Sequence, residues 1–153
     1  MKIICDQMLG SLATWLRILG FDTIYISETI SDESLLDTAL KEQRLLITRD
    51  KLLYQKAQKY HHPSVFLPTT NVDAQLQTVL QRLPYDQQYV LTRCVLCNSI
   101  LQPIDKQQVI GKVPDSIFKK HTCFHLCPKC CKIYWMGTHY DNMVKKIEML
   151  KNK

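Results

Sequence analysis

Three aspartates stand where a metal-dependent phosphodiester chemistry could be built. Asp6 directly follows the short apolar segment 2–5, and Asp50 follows the β-branched and leucine-rich segment 44–48 with only Arg49 between them. Asp32 begins a segment with helical spacing of leucines. Because ligands of open parallel sheets bind beyond the carboxyl ends of the strands, we expect these three carboxylates at one rim.

Three carboxylates at one rim repel each other, and a hard divalent cation relieves that repulsion. Mg²⁺ or Mn²⁺ bound between such oxygens and a phosphodiester neutralises developing charge and activates a water molecule. The pattern therefore predicts that Asp6, Asp32 and Asp50 are catalytic residues and ligands of Mg²⁺ or Mn²⁺. The simpler alternative stays open, since Asp is also a favoured N-cap residue at the start of a helix.

Competing strand-end chemistries fit this chain less well. No second aspartate follows Asp6 by two residues, as an aspartyl-phosphate mechanism would require. A glycine-rich phosphate loop and a Gly-x-Ser-x-Gly nucleophile elbow are also missing from the sequence.

Two Cys-x-x-Cys hooks form the strongest local motif of the chain. They are Cys94 with Cys97 and Cys127 with Cys130, and 29 residues separate them. Two such hooks supply four thiolates at tetrahedral angles, which predicts a closed, structural zinc site. Neighbouring residues could replace a ligand, so the set stays open among Cys123, Cys131, His121 and His125. For Cys131 we expect apolar packing, and Cys5 is most simply a core residue.

Basic and aromatic residues around the hooks could hold a single RNA strand. Tyr134, Trp135 and His139 could stack on bases, with the alternative that Trp135 fills a small core. Arg49 and Lys51 flank Asp50 and could contact a phosphate. The full predicted set of RNA-binding residues is Arg17, Arg49, Lys51, Arg93, Lys129, Lys132 and His139.

The elements that must position these residues alternate between strand and helix. The predicted strands are 2–5, 23–27, 44–48 and 65–67, and the predicted helices are 8–19, 32–42, 51–60 and 72–83. Four strand-helix units with short connections predict an α/β domain with a parallel sheet covered by helices.

Segment 84–88 is the predicted boundary, which gives a first domain over 1–88. The second, over 89–153, holds the hooks, a ribbon strand near Ile133 and a terminal helix over 139–150.

Composition and charge narrow the function classes further. The 153 residues are 46% hydrophobic and 22% charged, which is an ordinary globular balance. Residues 1–90 carry a net charge of −1 and residues 91–153 a net charge of +7. This asymmetry suggests a polyanion partner for the second half, or alternatively a lysine-dotted surface. No apolar run approaches the ~18 residues of a membrane span, and seven cysteines without a secretory signal predict a reducing, cytoplasmic compartment.

Several stretches resemble the Mut-seven C-terminal ribonuclease domain family. They are DQMLGSLATWLRILGFD at 6–22, SDESLL at 31–36, LITRD at 46–50, RCVLCN at 93–98, CPKC at 127–130 and YWMGTH at 134–139. The resemblance implies a three-layer PIN-like domain with a mostly parallel central sheet and an appended zinc ribbon. It also implies metal-dependent RNA cleavage. Four positions depart from the pattern. Cys131 follows the last hook where Gly is common, and Leu52 stands at one place for a fourth acid. Thr14 and Thr138 stand where a basic residue and Ser are expected.

The resemblance places the family's acids on Asp6, Asp32 and Asp50. Its zinc ligands fall on Cys94, Cys97, Cys127 and Cys130. We therefore expect a Mg²⁺- or Mn²⁺-dependent ribonuclease with a structural zinc ribbon that helps to bind RNA. The alternative hypotheses are a non-catalytic zinc-ribbon RNA-binding module and a protein adaptor.

Overall fold

The computed structural model describes residues 1–151 and builds a four-stranded parallel sheet in the order β2-β1-β3-β4. The strands of this sheet are β1 Lys2–Cys5, β2 Asp22–Tyr25, β3 Leu45–Thr48 and β4 Ser64–Phe66. The helices that connect and follow them are α1 Gly10–Ile18, α2 Asp32–Glu42, α3 Lys51–Lys59 and α4 Val72–Arg82. The predicted strand-helix alternation is confirmed, with ends that differ by one or two residues.

The largest difference lies at the start of the first helix. Gln7–Leu9 form a tighter 3-10 turn, and α1 begins only at Gly10. The cause is Asp6, whose side chain accepts a hydrogen bond from the Met8 amide and caps this turn.

Helices cover both faces of the sheet, as the near-continuous apolar character of its strands requires. Ile3 and Cys5 face a core that is shared with α1 and α4. Ile4 and Leu46 face a second core, shared with α2 and α3. The α/β, three-layer prediction is therefore confirmed.

Strand order reverses between β1 and β3, which lie side by side at the centre of the sheet. The chain leaves β1 toward β2 on one side and later returns to β3 on the other. A crevice opens at such a switch point beyond the carboxyl ends of the two strands. Asp6 follows β1 directly, and Asp50 follows β3 with only Arg49 between them.

The cysteine-rich part adds a three-stranded antiparallel sheet in the order β5-β6-β7. Its elements are β5 Gln102–Ile104, α5 Asp115–Lys120, β6 Phe124–Leu126 and β7 Ile133–Tyr134, followed by α6 Thr138–Lys151. The ribbon strand at Ile133 and the terminal helix were predicted. The other three elements were not, because segments of three to six residues are too short to show a hydrophobic period.

The cysteine-rich part contacts the parallel-sheet part at two places. Helix α6 packs on α4 and contributes Ile147 and Leu150 to the core beneath that helix. On the other side, the Asn98 side chain donates to Asp22 and accepts from the Thr23 amide. The division at residue 88 stays a prediction. No helix within residues 1–151 is long and apolar enough to cross a lipid bilayer.

Candidate functional site

A small cleft of about 60 Å³ lies at the switch point and collects four carboxylates. Asp6 comes from the end of β1, Asp32 from the start of α2 and Asp50 from the end of β3. Glu28 is the fourth acid of its lining. We call this feature the acidic cleft, and its formation agrees with the expected gathering of the three aspartates at one rim.

Asp6 is the most constrained of these acids, with only 6% of its surface exposed. Its Oδ1 accepts from the Met8 amide at 2.9 Å. Its Oδ2 accepts from the Arg49 amide at 3.0 Å and from the hydroxyl of Thr48. Three donors from two elements therefore hold this carboxylate in one orientation at the cleft.

Asp50 both caps a helix and lines the acidic cleft. Its Oδ1 accepts from the amides of Leu52 at 2.8 Å and Leu53 at 3.2 Å, at the start of α3. No hydrogen bond to Oδ2 occurs within residues 1–151, so one oxygen is available to a ligand. Asp6 and Asp50 therefore do act as N-cap residues, as the simpler alternative held. Both also line the acidic cleft.

Asp32 does not cap α2, because the neighbouring Ser31 accepts from the Ser34 amide instead. The Asp32 carboxylate pairs with Lys56, whose Nζ lies 3.5 Å from Oδ2. Lys56 also contacts Glu33 at 3.0 Å. An ammonium group thus stands beside the acidic cleft and partly balances its negative charge.

The sequence analysis missed Glu28, which follows the end of β2 by three residues. The signal was available in principle, because an acid just beyond a predicted parallel strand belongs to the same rim as Asp6 and Asp50. Leu52, the position considered for a fourth acid, is 67% exposed on α3. Glu28 supplies a fourth carboxylate from another part of the chain.

The cysteines form a much tighter group than the acids. Within residues 1–151, they are the one set of three or more His, Cys, Asp or Glu side chains whose ligand atoms all lie within 4.8 Å of one another. The members are Cys94, Cys97, Cys127 and Cys130. A tetrahedral zinc with Zn–S bonds of ~2.3 Å separates its sulfurs by about 3.8 Å, and Cys97 and Cys127 Sγ are 3.5 Å apart. These four residues could hold a metal such as zinc.

The neighbouring candidates lie outside this group. Cys123 and Cys131 are both exposed, so the expected apolar packing of Cys131 is wrong. Its backbone explains its position: Cys131 adopts φ 62°, and its amide donates to the Cys127 carbonyl at 2.9 Å. Asn98 has the same geometry after the first hook. It adopts φ 71°, and its amide donates a hydrogen bond to the Cys94 carbonyl at 2.9 Å. Each hook therefore closes on a residue in the left-handed region.

Polar contacts lower the pKa of the Cys94 and Cys97 thiols, whereas contact with the Cys97 sulfur raises the pKa of Cys130 to about 12. A hydrogen bond with Ser99 is the main cause that lowers the pKa of Cys97 to about 6. The Tyr134 hydroxyl lies 3.1 Å from Cys94 Sγ and accepts from the Val95 amide at the same distance. Because thiolates rather than thiols bind metal, these contacts suit a metal centre.

Two predicted RNA contacts have internal partners instead. Arg17 is buried, and its guanidinium donates to the carbonyls of Thr23 and Val95, each at 2.9 Å. This placement corrects the expected phosphate contact of Arg17, because its donors join α1 to β2 and the first hook. Arg93 donates to the Asn98 carbonyl and lies 3.9 Å from Asp22. The predicted residues Lys51, Lys129, Lys132 and His139 are exposed, and Arg49 is half-buried.

Comparison with known protein families gives a match. The family model of the Mut7-C RNAse domain matches residues 1–147 of the 153-residue chain. Searches of curated proteins and of solved structures give no match. The family match spans both the acidic cleft and the four cysteines, and the chain therefore belongs to the Mut7-C RNAse domain family.

Proposed function

We propose that this protein is a metal-dependent ribonuclease that hydrolyses RNA phosphodiester bonds at the acidic cleft. The observation that carries this proposal is the gathering of Asp6, Glu28, Asp32 and Asp50 at the switch point of a parallel sheet. That is the place where open α/β sheets bind their ligands. The family match supports the choice of RNA as substrate.

The donors of the acidic cleft suit a hydrated divalent cation. Mg²⁺ keeps several of its waters and takes only one or two carboxylates directly, so the four acids need not converge as closely as the cysteines do. Oδ2 of Asp50 and the second lone pair of Asp6 Oδ1 are two positions open to such an ion. When bound, Mg²⁺ or Mn²⁺ would neutralise charge on the phosphate and lower the pKa of a bound water.

The chain's own residues divide the remaining work. Asp6 is held by three donors and so needs no reorganisation to face a ligand. Lys56 stands 3.5 Å from Asp32 and balances part of the negative charge at the cleft. Lys51 is exposed at the start of α3, and in this proposal it contacts the phosphate of a bound strand.

The cysteine-rich part has a supporting role in this proposal. Four thiolates leave no open position for a water, so we propose a structural zinc ion at Cys94, Cys97, Cys127 and Cys130. The net charge of +7 over residues 91–153 supports an RNA-holding role for exposed Lys129, Lys132 and His139.

Asp50→Asn tests the proposal with little risk to folding, because Asn is as good an N-cap residue as Asp. We expect Mn²⁺- or Mg²⁺-dependent cleavage of a labelled RNA to fall by at least about 100-fold. RNA affinity should be retained or improved, since one negative charge is removed. Asp37→Asn is the matched control, because Asp37 is exposed on α2 and pairs with Lys41.

The decisive contrary result is a pure, folded wild-type protein that cuts no RNA with either ion. RNA binding without cleavage would then favour the non-catalytic RNA-binding module. Equal loss of activity in the Asp37→Asn control would instead attribute the effect to net charge and remove the role of Asp50.

A further inference from the structure

A second and larger cavity lies away from the acidic cleft, between the cysteine-rich part and two helices. Its volume is about 520 Å³, which is within the range of pockets that enclose small ligands. We call it the ribbon groove. Its walls come from α1, the residues around β7 and the start of α6, and include Thr14, Ile18, Tyr134, Trp135, Tyr140 and Met143.

The charge of the ribbon groove is of one sign. Lys120, His121, Lys132 and His139 line it, and its lining contains no Asp or Glu. Lys132 Nζ lies 5.3 Å from the centre of the Tyr134 ring, so a cation and an aromatic surface occur together. Such a lining is complementary to an anion that carries a flat ring.

Unpaired polar groups lie beside the aromatic wall. A Cβ placed on Gly137 would lie 3.1 Å from Trp135 Nε1 and 3.9 Å from His121 Nε2. Neither of these ring nitrogens has a hydrogen-bond partner among the residues that the structure describes. The backbone of Gly137 therefore lies close against the indole N–H of Trp135, and the imidazole of His121 lies just beyond it. Phe124, whose ring centre is 6.4 Å from that of Trp135, packs against the indole and holds it in place.

We propose that the ribbon groove binds one unpaired nucleotide of an RNA strand. Its base would lie in the groove against the aromatic wall of Tyr134 and Trp135, and its phosphate would pair with Lys120 and Lys132. The inference rests on the proposed function in taking RNA as the ligand, and it adds a binding site that is separate from the acidic cleft. Stacking on aromatic side chains together with cationic contacts is how proteins hold single strands without reading their sequence.

Helix α1 sets the distance between the two sites. Met8, just before α1, lines the acidic cleft, whereas Thr14 and Ile18 line the ribbon groove. At ~1.5 Å per residue, these two positions lie about 6 and 12 Å along the helix from Gly10. A few nucleotides of an extended strand can span this length. The groove would thus anchor an RNA whose neighbouring phosphodiester reaches the cleft.

The test measures binding of an unstructured adenylate hexanucleotide to the full chain carrying Asp50→Asn, so that cleavage does not interfere. We expect Lys120→Glu and Lys132→Glu each to raise the dissociation constant by roughly 10-fold or more. Lys119→Glu is the matched control, because Lys119 is exposed on the same helix α5, carries the same charge and is not part of the groove. Its dissociation constant should stay within about two-fold of the parent value.

A second measurement needs no change in the groove itself. In the Trp15→Phe chain, Trp135 is the one remaining tryptophan, and the hexanucleotide should quench its emission. The proposal is overturned if that emission does not change. It also fails if Lys119→Glu weakens binding as much as Lys120→Glu, or if a poly-glutamate peptide of equal charge displaces the RNA equally well.

The two proposals can fail separately. If the groove variants bind RNA poorly and the wild-type protein never cleaves, the nuclease proposal fails and the groove proposal stands. If cleavage depends on Asp50 and the Lys120→Glu and Lys132→Glu variants bind RNA normally, the groove proposal fails and the nuclease proposal stands.

Discussion

The hydroxyl of Thr48, at the end of β3, donates a hydrogen bond to Oδ2 of Asp6, at the end of β1. The same hydroxyl oxygen accepts from the Asp50 amide at 2.9 Å. One buried side chain thus connects the two acids that follow neighbouring strands of the switch point. Thr48 is a positioning residue in the proposed mechanism, since its only free hydroxyl proton is used on Asp6.

Replacing Thr48 by Val should therefore separate positioning from ligation. The variant keeps the shape of the side chain but leaves the half-buried Asp50 amide without its acceptor, which costs about 1–3 kcal/mol of unfolding free energy. We expect metal-dependent cleavage to fall by roughly 10-fold or more, because the Asp6 carboxylate loses one of three donors. Urea denaturation and a cleavage assay measure the two effects. Thr48→Ser keeps the hydroxyl and should restore both, and a Val variant identical to wild type would refute the role.

Asn98 should stabilise the contact between the first hook and the parallel sheet in two distinguishable ways. Asn98→Gly keeps the left-handed backbone but removes the bonds to Asp22 and to the Thr23 amide, so we expect a loss of about 1–2 kcal/mol. Asn98→Ala removes the same bonds but keeps a Cβ at φ 71°, so it should be ~1 kcal/mol less stable than Asn98→Gly. Denaturation gives both values, and hydrogen exchange at the Thr23 amide reports the lost acceptor. Equal stabilities of the two variants would contradict the backbone part of this account.

Cys131→Gly should make the protein more stable. The residue adopts φ 62° and is exposed, so glycine relieves strain without removing a buried contact. The expected gain is about 0.5–1 kcal/mol, reduced by the extra entropy of glycine in the unfolded chain. Cobalt substitution checks the metal site, because the thiolate charge-transfer band should be the same as in wild type. Cys127→Ser should weaken that band, and weakening in Cys131→Gly as well would make Cys131 a ligand.

The contact between Tyr85 and the terminal helix α6 should lose its stabilising effect at alkaline pH. Burial and the hydrogen bond that its hydroxyl donates to Glu148 at 3.1 Å raise the pKa of Tyr85. A folded pKa above the unfolded value of ~10 contributes stability that is complete below pH ~10 and is lost as the pH rises through the folded value. NMR titration of the Tyr85 ring should give a midpoint above the unfolded value of ~10. Glu148→Gln should lower the midpoint, and an unchanged midpoint would exclude Glu148 as a cause.

Local patterns were sufficient for most of the parallel-sheet part. The apolar run of β1 and the three-and-four spacing of leucines in α1 report a side-chain period that the backbone imposes. The positions of Asp6 and Asp50 at strand ends then followed from the geometry of a parallel sheet. Cys94, Cys97, Cys127 and Cys130 were predicted because a Cys-x-x-Cys hook is itself a local structure that presents two sulfurs to one point.

The tertiary structure decided what depends on contacts between distant segments. Arg17 has the same sequence pattern as a surface arginine of an amphipathic helix, and only the docking of the first hook, 78 residues further along, buries it against Val95. Glu28 stands on an irregular segment without a period, so its place in the acidic cleft depends on how β2 is laid beside β1. The ribbon groove likewise exists only because α1, β7 and α6 meet in the folded chain.

By itself, then, the sequence determined the strand-helix order, the rim to which the aspartates belong and the metal-binding hooks, because each follows from residues close together along the chain. Folding selected the charged groups that remain open to a ligand, because burial and hydrogen bonding depend on partners that the chain order does not reveal. The same chemistry that predicts a phosphate contact for an arginine also makes it a good donor to buried carbonyls, and only the packed structure selects between the two.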